Sequence, residues 1–255
     1  MSDRPRHDDW WLASDGKWYP PELSSDPDVR PSHEADPGET TTGTVVSSMF
    51  TNVAGGLLTA TSILMVVSSF FGLRYAGDLR SGEAIISSDV GDVGATEIAY
   101  TGWLSVALLM FVITGVFVLI WTYKTSKALD SRGPVDRRWR GGWTIFSWII
   151  PFANFVIPKL VFNEIEKISQ TPFVGEPIGN SWKQMTRTRL ADLWWLLWVG
   201  GVLLSQMSAV VNLGGEDEGT LATSVTVTSF SYVFFAAAGV ALALVMRRIE
   251  LFSRR

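Results

Sequence analysis

The sequence predicts an all-α membrane protein: four transmembrane helices, one proline-broken re-entrant or interfacial segment, and a disordered N-terminal tail carrying a small β-hairpin. Three observations lead there. Met49 to Leu73, Tyr100 to Tyr123, Leu193 to Leu213 and Leu221 to Met246 are long apolar stretches without a single Asp, Glu, Lys, Arg or His. Charged residues make up only 18% of the chain, against about 25% in an average soluble domain. The mean hydropathy is positive. The layout that follows is a Trp-rich module at 1–21, a linker at 22–48 and a helical transmembrane domain at 49–252.

Each of the four stretches reaches the roughly 20 residues that a helix needs to cross a 30 Å hydrocarbon core. A fifth, residues 142–162 ("GWTIFSWIIPFANFVIPKLVF"), is equally apolar but is interrupted by Pro151 and Pro158. Proline removes a helical hydrogen bond and clashes with the preceding turn. Charge decides whether this stretch crosses, because Lys and Arg favour the cytoplasmic side of short loops. With a cytoplasmic N-terminus and a non-crossing fifth stretch, 19 of the 21 basic residues fall inside, leaving Arg74 and Arg80 outside. A crossing stretch splits them 10 to 11. The expectation is therefore a multi-pass protein of a bacterial cytoplasmic (inner) membrane with both termini cytoplasmic. Its outer loops, "RYAGDLRSGEAIISSDVGDVGATE" and "GGEDEG", are acidic.

Residues 159–170 continue the fifth stretch as an amphipathic helix. Val161, Phe162, Ile165 and Ile168 share one side, with Lys159, Asn163, Glu166 and Lys167 on the other. That pattern predicts a helix lying in the membrane interface. The tail has no apolar core of a cleavable signal, so the first crossing helix is expected to act as an uncleaved anchor. The absence of Cys excludes thiol lipid anchors.

Within the fifth stretch, broken backbone at membrane depth must be buried in protein or line a wet cavity. Asn154 stands between the prolines with donor and acceptor groups, and is the residue expected to bond the freed carbonyls. Two readings remain open: a purely structural turn, or a site for a lipid headgroup or small solute.

The residues Gly142, Trp143, Trp148, Pro151, Asn154 and Pro158, followed by the pair Trp194 and Trp195, carry a resemblance. "RGGWTIFSWIIPFANFVIPKLVFNEI" with the later "LADLWWLLWVGG" resembles actinobacterial membrane proteins of the family called domain of unknown function 4328. It covers about residues 50–250, and the Pro-x-x-Asn-x-x-x-Pro spacing is its most specific part. The resemblance implies an architecture and a source, and no activity.

Trp121, Trp139, Trp143, Trp182, Trp194 and Trp195 fall near the inner ends of the expected helices. Indole favours headgroup level, so they are expected to form an interfacial belt. Trp194 and Trp198, four residues apart, share a face that one of them could turn to the proline segment. Arg137, Arg138 and Arg140 before that segment, and Lys183, Arg187 and Arg189 before the third crossing, are candidate contacts for anionic headgroups. Small-residue pairs at four-residue spacing, Gly56 with Ala60 and Gly239 with Ala243, permit close helix packing, here expected within one bundle.

The tail opens with "WWLASDGKWYPP". Asp15-Gly16 suits a two-residue hairpin turn, which would set Leu12 opposite Tyr19 and Ala13 opposite Trp18. It resembles a short motif in membrane proteins of related actinobacteria. Isolated two-stranded hairpins are marginal in water, so Trp10, Trp11, Trp18 and Tyr19 are candidates for binding a cytoplasmic protein partner. The Pro-, Ser-, Asp- and Thr-rich residues after it read as a flexible tether.

Composition narrows the function classes. With no Cys, and with His7 and His33 both in the tail, the apolar part lacks the side chains of Ser-His, thiolate and zinc chemistry. The four apolar stretches have no ionisable group on which coupled transport depends. No basic patch interleaved with aromatics points to nucleic acid, and no pattern points to a cofactor. The expectation is a non-enzymatic membrane scaffold or adaptor with a cytoplasmic Trp-motif tail. Its alternative is a lipid- or small-solute-binding, channel- or transporter-like protein built on the proline-broken segment.

Overall fold

The computed structural model describes residues 11–12, 18–19, 47–82, 94–172, 176–215 and 217–254. Trp10, the Asp15-Gly16 turn, the tether up to residue 46 and residues 83–93 of the first outer loop lie outside the described residues. Residues Met1–Thr42 and Gly43–Arg255 form separate units.

In the first unit, β1 (Trp11–Leu12) pairs antiparallel with β2 (Trp18–Tyr19). The register is Trp11 opposite Tyr19 and Leu12 opposite Trp18, one residue away from that expected of a two-residue turn. An odd number of residues, 13–17, separates the paired positions, and longer hairpin loops with that parity set a different register.

The second unit is helical. Its long elements are α1 (Ser48–Ser81), α2 (Ala95–Asp130), α5 (Arg189–Asn212) and α6 (Glu218–Ser253), joined between α2 and α5 by the short α3 (Trp143–Ile149) and α4 (Ile157–Gln170). All four long helices are apolar and long enough to cross a membrane. Three run well past the apolar stretches. At 1.5 Å per residue, 34 to 36 residues reach about 51 to 54 Å, beyond any hydrocarbon core. The extensions persist because they keep helical spacing: Tyr75, Ala76 and Leu79 are buried beyond the end of the first apolar stretch. Gly82 then stops α1 with a φ of 75°, a left-handed conformation that glycine adopts without a Cβ clash.

Neighbouring long helices are α2 with α1, α1 with α6, and α6 with α5. Hydroxyls tie them together. Thr61 on α1 meets Thr114 on α2 at 2.7 Å, and Ser62 donates toward the Ala236 carbonyl of α6 at 2.9 Å. On the other flank Ser208 of α5 meets Ser224 of α6 at 2.8 Å. Such bonds and small residues are what hold helices together where lipid removes the hydrophobic drive. Gly239 illustrates the second device, since a Cβ there would lie 2.5 Å from the Ser62 Oγ. Gly56 would meet nothing within 4 Å, so of the two small-residue pairs only the glycine of the second sits at a close helix contact.

α2 and α5 are bridged at one end by α3, α4 and the turn between them. The ends meeting there are identified by specific bonds. Arg137, just after α2, pairs with Glu164 on α4 at 3.6 Å. Glu166 on α4 accepts from Thr188, just before α5, and pairs with Arg248 near the end of α6 at 3.5 Å. The Arg132 guanidinium donates to the Ser253 carbonyl. The segment between α2 and α5 therefore starts and finishes at the same end of the bundle.

α4 departs from the expectation of an interfacial helix. Val161, Phe162, Ile165 and Ile168 are fully enclosed, but so is Glu166, and Asn163 is also buried. Glu166 faces α6 and the loop before α5 instead of water, while Lys159 and Lys167 stay partly exposed, so only the middle of the polar side is enclosed in the protein.

Candidate functional site

The proline segment is built from local turns. α3 ends as Ile150 turns extended (φ −74°, ψ 121°), the conformation that a following proline imposes. Phe152 then takes a φ of 64°, uncommon for a residue with a Cβ, and leads into a 3-10 turn, Ala153–Phe155. Pro158 falls in the first turn of α4, where its missing N–H leaves no bond unmade. Gly141 before α3 has a φ of 55°, and a Cβ on Gly142 would press on the Phe146 ring at 3.0 Å.

Asn154 does something other than expected. Its backbone N–H donates to the Ile150 carbonyl at 3.1 Å, whereas the carbonyls that Pro151 and Pro158 leave without their helical donor are those of Ser147 and Asn154. Three carbonyls of the turn are met locally, Pro151 by the N–H of Ala153, Phe152 by that of Phe155 and Ala153 by that of Val156. The Asn154 side-chain Oδ1 is buried and has no hydrogen-bond partner among the described residues. The Trp148 Nε1 is in the same state.

Both residues line one cavity of about 280 Å³ enclosed by the four long helices and closed at one end by the proline segment. Its walls are Leu58, Thr61, Ser62 and Met65 of α1, Thr114, Gly115 and Val118 of α2, Trp194 and Trp198 of α5, and Ala238, Gly239 and Leu242 of α6. The space follows from the sequence: Gly115, Ala238 and Gly239 supply little side chain. Among the described residues, no ionisable one lines it. Phe111 and Gly115 of α2 line it and are exposed.

Aromatic rings form the floor. Trp148 packs on Trp194 at 6.3 Å between centroids and on Trp198 at 6.1 Å, edge to face. Trp194 contacts Phe162 of α4 at 4.8 Å, and Trp195 stacks on Trp198 at 5.4 Å. Both residues of the later Trp pair thus belong to the cluster beneath the proline segment, and Trp194 and Trp198 both turn to that segment. The interfacial-belt expectation fails for Trp121, Trp182, Trp194 and Trp195, all of them buried. Their N–H groups explain two cases: Trp121 donates to Thr51 at 2.9 Å and Trp182 to the Val135 carbonyl at 3.1 Å. Trp143 is 46% exposed and Trp139 half-buried, and the pair meet edge to face at 5.7 Å.

The basic cluster divides. Arg137 is enclosed and bound to Asp130 at 2.8 Å and to Ser126 through both backbone and hydroxyl, which removes it from headgroup contact. It holds the loop after α2 in place. Arg140 donates to the Pro134 carbonyl at 2.6 Å, Lys183 pairs with Asp136 at 3.1 Å and Arg187 lies 3.8 Å from Asp192. Arg138 and Arg189 are exposed, Arg138 over the Trp139 ring at 5.2 Å.

Sequence reading singled out Trp148 and Asn154 but missed the opposite walls. Thr61, Thr114 and Gly115 look there like ordinary transmembrane residues, and the one hint is the spacing of Thr61, Ser62 and Met65 along one face. Trp11, Trp18 and Tyr19 fall in the separate first unit, at the β1–β2 ladder.

No curated protein and no solved structure matches the chain. A family model described as a domain of unknown function matches residues 85–251, which leaves α1 outside it. The matched span holds every part of the proline segment and the tryptophan cluster beneath it. The chain is a multi-pass membrane protein by its four apolar helices, and it belongs to the DUF4328 family.

Proposed function

We propose that the protein is a non-enzymatic binding protein of the bacterial inner membrane, which takes an apolar ligand from the bilayer into the cavity closed by the proline segment. The observation that carries this reading is the cavity itself, about 280 Å³ walled mainly by apolar side chains of all four long helices. The cavity's exposed rim at Phe111 and Gly115 gives such a ligand a way in from the lipid side. Termini on the cytoplasmic side and a re-entrant proline segment are part of the proposal. The basic-residue distribution supports both, as does the shared end at which that segment starts and finishes.

The test uses the full chain in lipid nanodiscs with a diazirine-bearing hydrocarbon. The expected result is crosslinking concentrated on peptides that contain Trp148 and Leu242, and abolished by Gly115→Leu. A Cβ at Gly115 meets nothing within 4 Å, so the larger side chain has room to enter. Labelling spread evenly over the lipid-facing helices, unchanged by Gly115→Leu, overturns the reading.

A second reading, the adaptor, is favoured by the β1–β2 ladder. Two residues per strand are too few to hold a hairpin unaided, and Trp18 and Tyr19 are aromatic side chains suited to a protein surface. Deleting residues 1–21 is expected to remove specific co-purifying proteins. Identical partners with and without the tail exclude it. Arg138 and Arg189 remain our candidates for anionic headgroup contact.

A further inference from the structure

We propose that a second copy of this chain packs against the free side of α5, with the two Gln206 side chains meeting at a two-fold axis along the bilayer normal.

The two sides of α5 differ. Gly201 and Ser208, seven residues apart, are buried against α6. A Cβ on Gly201 would lie 2.8 Å from the Phe235 ring, and Ser208 meets Ser224 at 2.8 Å. On the other side Leu196, Leu203 and Val210, also seven apart, are exposed. Gln206 is exposed with them, about 160° around the helix from Ser208 at 3.6 residues per turn. Together with the half-buried Val199 they repeat at alternate steps of three and four residues, the spacing at which two helices interlock. Gln206 takes one position of that row.

Lipid alone covers an apolar row; the glutamine calls for more. Three amide side chains fall in the four apolar stretches, and Asn52 and Asn212 stand within a turn of an end. Gln206 stands seven residues from Leu213, about 10 Å along the axis. Hydrocarbon offers an amide no partner. Exposed hydroxyls find one on their own helix: Thr59 donates to the Gly55 carbonyl at 2.9 Å, and Ser105 to the Thr101 carbonyl at 2.8 Å. Gln206 has no such bond among the described residues. The exposed side of α2 supplies the contrast, because Leu109 and Val112 lie bare there while no amide falls between Tyr100 and Tyr123. That side is suited to lipid.

The amide's own chemistry names the occupant. It donates and accepts, so a second amide complements it on both counts. Two copies inserted the same way in one membrane bring identical residues together about their shared axis. Each Gln206 then accepts from its counterpart and donates to it, as polar side chains do between membrane helices. One polar position in an otherwise apolar row also fixes the register. Neither Trp194 nor Trp198 belongs to the row, so the pairing and the cavity reading stand separately.

The test uses the full chain in phospholipid vesicles at rising lipid-to-protein ratios. Gly214→Cys, introduced into the cysteine-free chain, carries a donor or an acceptor dye, and energy transfer reports association. Transfer is expected to exceed random proximity. Gln206→Leu should weaken association roughly three- to twentyfold, the range that hydrogen bonds between membrane helices span. Gln206→Asn, which keeps the amide, should weaken it less. Under mild oxidation Leu203→Cys and Val210→Cys are expected to form disulfide-linked dimers, and Leu109→Cys on α2 is not. Transfer at the random level at every ratio overturns the pairing, as does association that Gln206→Leu leaves unchanged. Equal dimer yields from Leu109→Cys and Leu203→Cys overturn it too. So does a photocrosslinker at position 203 that captures a different protein in cells and never a second copy.

Discussion

Glu166 shows how much depends on a single buried group. It is fully enclosed, accepts from the Thr188 hydroxyl at 2.5 Å and backbone N–H at 3.4 Å, and faces an Arg248 side chain that is 45% exposed. The bonds to Thr188 are the substantial part, because Arg248 is screened by solvent. Glu166→Ala is expected to destabilise the protein by about 1–3 kcal/mol, the cost of stranding buried donors. Glu166→Gln, which keeps an oxygen toward Thr188, should cost clearly less. Thermal unfolding in detergent checks the order, and equal losses in both variants would assign the weight to Arg248 instead. Asp217 carries a pH signature. Its hydrogen bond from the Thr220 side chain, with backbone bonds behind it, holds its carboxyl below the ordinary range. A carboxylate with a depressed folded pKa contributes stability above its unfolded value, and that contribution is lost as pH falls through the folded one. Fraying of α6 should therefore set in on acidification below the ordinary aspartate range, and Asp217→Asn should flatten that dependence. Asp217 went unread, although an Asp just before an apolar helix is a local capping signal. Glu166 has no such signal, because Thr188 and Arg248 are distant in the chain and only the fold brings them to it.

Helices were legible in their apolar middles and illegible at their ends. Hydropathy marks the part of a helix that matches lipid thickness. It says nothing of α1 from Arg74 to Ser81 or α2 from Lys124 to Asp130, which helical spacing and partners sustain in polar surroundings. α4 was misjudged for a related reason: its two-sided pattern is the same whether the polar side meets water or Arg248 and Thr188. The α1–α6 contact is the best test of how elements pack. Gly239 brings the helices so close that a Cβ would lie 2.5 Å from the Ser62 Oγ and 3.5 Å from the Leu58 carbonyl. Gly239→Ala is expected to cost about 1–3 kcal/mol, as overpacking does, measured as lost thermal stability. Ser62→Ala removes the nearest atom, so the double variant should recover part of the loss. Gly56→Ala, on an open face, should be neutral or slightly stabilising through better helix propensity. Equal effects at both glycines would mean that α1 and α6 do not meet as described.

The arrangement of the whole chain rests on one geometric relation: the end of α2, the start of α5, the end of α6 and all of α4 share one end of the bundle. In the reading proposed above, that relation makes the proline segment a plug in place of a fifth crossing; it also sets Asn154 at one end of a cavity between four helices. The expected distribution of 19 of 21 basic residues on one side favours that arrangement independently. Because the chain contains no Cys, single cysteines report their own side without background. Ser81 and Gly214 are exposed at the ends of α1 and α5, and Lys183 and Arg254 are exposed near the start of α5 and the end of α6. A membrane-impermeant maleimide added to intact cells is expected to label Ser81→Cys and Gly214→Cys. Lys183→Cys and Arg254→Cys should react only after permeabilisation. Full reversal would invert the orientation but keep the plug, since the two pairs would still separate. Labelling of Lys183→Cys together with Gly214→Cys in intact cells cannot be reconciled with it: α5 would have to begin and end on one side, and the cavity would lose its floor.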